Sequence, residues 1–177
     1  PRAASINTRN LEREIIVELN RVRANPSAYA DELEQLAFKK YYDEIYGGVS
    51  YSMHVAGNDR LQYCSKNDES CQRNYLKKIK EAIDDLRNIS GPLSQLTENR
   101  KLHDGAAMLG GDSGRIDGPG HRDSRGRSAF CRTYQAGYRN GFGGENLTAG
   151  HTSAKGFVIS FLTSTGHRKN IIKEGIN

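Results

Sequence analysis

Three short stretches hold the residues best suited to chemistry: Gly120-His121-Arg122-Asp123, Gly144-Glu145-Asn146-Leu147 and Gly166-His167-Arg168-Lys169-Asn170-Ile171. They supply the imidazoles of His121 and His167 and the carboxylate of Glu145. Side chains of these types bind divalent cations and move protons near neutral pH. The glycine beside each is expected to let the backbone turn sharply and leave the side chain open to a cleft. Alone, each has an ordinary structural explanation. Together, at the ends of predicted elements, they single out a site. His54, His103 and His151 lack that setting and read as ordinary surface or core residues.

Other motifs carry less. Gly111-Asp112-Ser113-Gly114 resembles the nucleophile loop of trypsin-like proteases, but Arg115 follows where those enzymes carry glycine, and no Ala-His-Cys sequence lies upstream. A triad is recognised by geometry rather than by four residues, so a turn is the better reading. The same loop lacks the Lys-Ser/Thr ending of a phosphate-binding loop and does not fit a calcium loop. Cys64, Cys71 and Cys131 are odd in number and match no zinc spacing. Cys64 and Cys71 could close a short disulfide loop; equally, all three could be thiols. Asn88-Ile89-Ser90 and Asn146-Leu147-Thr148 fit the glycosylation acceptor pattern, which chance produces often.

Helices must position most of these residues. Leu11, Ile15, Leu19 and Val22 recur at helical spacing, so a helix is expected from about Asn10 to Arg23, with Glu12 and Glu14 in its first turn. Asn25-Pro26 reads as the cap and first turn of a second helix, with Tyr29, Leu33 and Leu36 on its buried stripe. Tyr75, Ile79, Ile83 and Leu86 predict a third, ending at Ser90-Gly91-Pro92. Leu96, Leu102, Ala106 and Leu109 suggest a fourth, broken by Gly110-Gly111. A short element is expected over Phe130 to Tyr138 and a strand over Gly141 to Leu147. Ala154, Val158, Phe161 and Leu162 predict a last helix running up to Gly166-His167.

With 177 residues the chain reads as one domain, 1–177, carrying an insertion at about 38–72 in which Tyr41, Tyr42, Tyr46, Tyr51 and Tyr63 crowd. Those tyrosines read more readily as packing on one another than as an interaction surface. Mean hydropathy is -0.74, and no run approaches a membrane-spanning length. The opening Pro1-Arg2-Ala3-Ala4-Ser5 has no apolar stretch of a signal peptide. Net charge is +5, which is mild; the arginines between Arg115 and Arg139 form the one plausible anion-facing strip. No specific nucleic-acid partner and no transmembrane segment are expected.

The stretch from Ile15 to Ala30 resembles the opening helix of the CAP superfamily, which includes cysteine-rich secretory proteins, insect venom antigen 5 proteins and plant pathogenesis-related proteins. Gly120-His121-Arg122-Asp123, the stretch Gly144 to Gly150 and the stretch Ser164 to Ile171 match its signatures in order, and Leu102 to Ala107 matches its Leu-x-x-x-Ala-Ala helix. The resemblance runs from about Asn10 to Ile172. It is to the compact bacterial and protist branch, because the disulfide set of animal and plant members is missing.

That resemblance implies an α+β fold, an α-β-α sandwich with a small antiparallel sheet between helical layers. Further strands of the sheet would lie beyond Asn177, leaving an edge that recruits partners. It also implies a cleft holding two histidines and two acids. Carried over, these are His121, His167 and Glu145. The helix Phe157 to Ser164 lacks the second acid, and Asp123 is the candidate substitute. Asn146 joins the candidate ligand-binding set. The implied function is a non-catalytic binding module for a divalent metal (zinc or another cation on His121, Glu145 and His167), for a lipid or sterol, or for a protein partner, in a secreted setting. The alternatives are a structural component of an intracellular cytoskeletal or ciliary assembly, and a metal-dependent hydrolase.

Overall fold

A computed structural model describes residues 8–38, 51–54, 60–64, 69–112, 120–141, 143–149 and 151–176. The chain opens with α1 (Thr8–Ala24), which puts Val22 in the core with Ile15 and Leu19 packed against it. Because α1 begins two residues earlier than its spacing suggests, Glu12 and Glu14 fall beyond its first turn. Asn25 then caps α2 (Pro26–Phe38), its side-chain oxygen accepting from the Ala28 amide at 3.1 Å. Tyr29, Ala30 and Leu33 of α2 meet Ile79, Ala82, Ile83 and Leu86 of α3 (Glu69–Arg87).

The main apolar cluster is completed by Val158, Ile159, Phe161 and Leu162 of α6 (Ala154–Leu162) and by Ile171 of α7 (Thr165–Ile171). Ser153 caps α6 by accepting from the Gly156 amide at 3.1 Å. The expected last helix is therefore two, and His167 sits inside the second rather than beyond the end of the first.

The helices α4 (Arg100–Asp112) and α5 (Ala129–Gln135) pack on each other. Among the described residues the main cluster draws no side chain from either; Leu109 and Ala129 are buried apart from it. Their contact is close because Gly105 has no side chain. A Cβ there would lie 2.8 Å from Thr133 Cγ2 and 2.9 Å from Thr133 Cα. Polar ties to α1 hold α4 and the segment that leads into it. The Asn20 carboxamide donates to the Leu96 carbonyl at 2.9 Å and accepts from its amide at 2.7 Å. His103 Nε2 lies 3.1 Å from a Glu12 oxygen.

The expected α-β-α sandwich is not what the described residues form: they are 64% helical, with seven helices. Strand pairing among them is limited to a short antiparallel ribbon of β1 (Tyr51–His54) and β2 (Arg60–Cys64) and one isolated bridge. The physical reason is that the buried apolar side chains of the described residues sit on helices and pack helix against helix. The segment 143–149 is not a strand either. With glycine at 141, 143 and 144 it favours no extended ladder and runs irregularly. Tyr41, Tyr42 and Tyr46 of the insertion, Ser113, and the side chains of Cys64 and Cys71 lie outside the described residues. Cys131 is an exposed free thiol. Among the described residues no helix is long and apolar enough to cross a membrane.

Candidate functional site

The loop between α4 and α5 turns back on itself, Arg122 pairing with Ser128, and Gly126 makes the turn at φ +74°. Asp123 holds this turn together. One carboxylate oxygen accepts from the amides of Arg125 at 3.0 Å and Arg127 at 2.9 Å; the other takes Arg127 Nε at 2.6 Å. Burial pushes the Asp123 carboxyl up, but the amide and guanidinium of Arg127 and the Arg125 amide outweigh it, and its pKa lies below the ordinary value. Asp123 is thus engaged within its own loop and does not join the histidines.

His121 stands at the start of this loop with its side chain 61% exposed. Its Nδ1 lies 3.0 Å from Glu145 Oε1. The other oxygen of Glu145 accepts from Nη2 of Arg132. Arg132 is wholly buried on α5. Its Nε donates to the Gly105 carbonyl at 3.3 Å, and its Nη1 to the carbonyls of His121 at 3.1 Å and Arg127 at 2.8 Å. One guanidinium therefore ties α4, the 120–127 loop and the Glu145 segment to one another.

The neighbouring Asn146 spans to α7. It donates to the His167 carbonyl at 3.1 Å and accepts from the Asn170 side chain at 2.8 Å. Gly144 makes room for this: a Cβ there would come within 2.6 Å of the Asn170 carboxamide. Gly120 and Gly166 have no such neighbour within close range, and none of the three flanking glycines has the left-handed backbone that a sharp turn would demand. The glycine at 144 serves close approach, which is a different reason from the one its sequence suggests.

His167 is half-buried, its ring edge-on to Phe161 with centroids 5.5 Å apart. Burial lowers its pKa from the ordinary 6.5, and the charge of His121 lowers it further. The two imidazoles are therefore electrostatic neighbours. His121 thus meets Glu145, and the adjacent Asn146 reaches the backbone carbonyl of His167; Asp123 joins neither.

The donor set does not fit a zinc centre. Both Glu145 oxygens are engaged, by Arg132 and His121. Among the described residues no group of three His, Cys, Asp or Glu side chains is arranged to hold an ion. Two imidazoles fall short of the three protein ligands of a catalytic zinc or the four of a structural one.

Arg132 and Asn170 are the site's unforeseen members. Asn170 lies within a recognised motif, so its spacing could have found it. Arg132 was one arginine in a basic stretch, and that stretch is not an anion-facing strip throughout: Arg132 is buried on Glu145 and Arg127 is paired with Asp123. No family model, no curated protein and no solved structure matches this chain.

Proposed function

We propose that the chain is a non-catalytic binding module, akin in its motifs to the CAP superfamily, that receives a small ligand against His121 and His167. The observation carrying this reading is the pairing of buried Arg132 with partly buried Glu145, which orients an exposed imidazole. An exposed histidine with no ligand to meet needs no such support, and partial burial of a carboxylate costs desolvation. Among the described residues no hydroxyl, thiol or second carboxylate hydrogen-bonds to either ring, so neither is set up as the base of a nucleophile.

The test is calorimetric titration of the full chain with a medium-chain fatty acid, a fatty alcohol and a soluble sterol. At least one should bind saturably, and His121→Ala or His167→Ala should weaken it by about tenfold, the loss of one hydrogen bond or more. Arg13→Ala, on an exposed face of α1, should not. Binding that survives both histidine substitutions, or no binding at all, would sink the reading.

A further inference from the structure

Arg132 decides which atom of His121 a ligand meets. We propose that Arg132, by engaging one oxygen of Glu145, leaves the other to accept the Nδ1 proton of His121, so that the exposed ring offers a bare Nε2 and the site prefers a ligand whose polar end donates a hydrogen bond, such as a hydroxyl, over one that ends in a carboxylate. This deepens the binding reading and rests on it.

The geometry leads there in three steps. A guanidinium has only N–H donors, and Arg132, wholly buried, directs Nη2 at Glu145 Oε2. A carboxylate at neutral pH is an acceptor only, so across the 3.0 Å contact to Oε1 the His121 Nδ1 must carry the proton. A neutral imidazole has one N–H, so Nε2 is left with its lone pair. Among the described residues nothing hydrogen-bonds to Nε2, and the side chain is 61% exposed. An alcohol can donate to that nitrogen. An ionised fatty acid, which has no proton to donate, cannot.

Arg132 is thus a positioning residue that holds His121 in two ways, at its backbone and through Glu145. Its Nη1 grips the His121 carbonyl at 3.1 Å while its Nη2 sets the carboxylate that orients the imidazole. The interaction removes an ambiguity that a free histidine keeps, since in water the ring prefers its proton on Nε2.

Two measurements on the full chain at pH 8.5 test this. Long-range nitrogen–proton NMR of the ring should show His121 protonated on Nδ1. Glu145→Gln can keep its oxygen toward Arg132 while turning an N–H₂ toward the ring, so it should move the proton to Nε2. Arg132→Lys, which loses the planar fork, should move the population the same way. Should R132K not fold, E145Q carries this arm alone. An Nε2-protonated wild type, or a proton unmoved by the variants that fold, overturns the assignment. Titration with dodecanol and dodecanoate then compares ends on one tail. The alcohol should bind about tenfold tighter, one hydrogen bond's difference, and E145Q should erase the preference. A carboxylate that binds as well or better overturns the ligand class while leaving the binding reading intact. Binding of neither overturns both.

Discussion

Nη1 of Arg23 in α1 lies 2.6 Å from the carbonyl oxygen of Ile171 at the end of α7, across 148 positions of chain. The same guanidinium reaches the carbonyls of Ser94 at 2.6 Å, Lys173 at 3.0 Å and Ile176 at 3.1 Å. Arg23 is wholly buried, and every hydrogen-bond partner named here is a backbone oxygen. Burial pushes its pKa down, but an arginine remains a cation. The negative end of the α7 dipole is its counter-charge. Replacing it with methionine should therefore strand several carbonyls, at about 1–3 kcal/mol for each one left buried and unpaired, and destabilise the chain by about 3–5 kcal/mol in all. Arg23→Lys should recover part of that. Urea unfolding checks both, and an R23M variant as stable as wild type would remove the clamp from the account.

Two glycines of α4 should answer alanine with opposite signs. At Gly105 the new methyl meets Thr133, including its backbone, so α4 and α5 must part, at about 1–3 kcal/mol. At Gly110 nothing lies within 4 Å, and alanine should stabilise the helix by up to about 1 kcal/mol. Matched denaturation curves decide it. Equal effects at the two positions would contradict the close helix contact.

The histidines can report on each other. His167 holds its proton less firmly when folded than when unfolded, so the stability it contributes is complete above the ordinary 6.5 and falls as pH drops below that value. Burial is the larger cause and His121 the smaller. His121→Ala should then raise the NMR titration midpoint of His167 part of the way, leaving it still below 6.5. A midpoint indifferent to residue 121 would mean that the rings do not share a site.

Asp123 gives the opposite limb of the pH scale its own signature. Its folded pKa lies below the ordinary 3.8, so its contribution is present above that value and disappears as pH falls through the folded one. Asp123→Asn should be less stable than wild type near neutrality, and the gap should close in strong acid. Thermal melts from pH 2 to 7 would show it; a gap that does not depend on pH would mean that the carboxylate's charge does not hold the turn.

What could be read from sequence was local. The stripe Leu11, Ile15, Leu19, Val22 and the Asn25-Pro26 stop need only periodicity and a cap, and α1 and α2 follow them closely. The contacts of His121 with Glu145 and of Asn146 with the His167 carbonyl join stretches that the sequence had already singled out. The helix α7 was not: it is seven residues long, has glycine in its first turn, and its cap Ser164 makes no side-chain hydrogen bond. Nor was Arg132. Nothing in Phe130-Cys131-Arg132-Thr133 separates a buried arginine from a solvated one, because its partners lie at positions 105, 121, 127 and 145. The sandwich expectation came from motif resemblance, whereas helix-on-helix packing is set by apolar stripes that no motif encodes.

The separation of α4 and α5 from the main apolar cluster has a consequence for how the molecule breathes. One side of the seam is cemented by hydrocarbon, the other by a guanidinium and its acceptors, so amide protons of the second should exchange with solvent through partial openings that leave the first intact. His121 and Glu145 ride on the looser side and His167 on the firmer one. A molecule lodged between them would act as a rivet, and its arrival would be felt as slowed exchange in helices that it never touches.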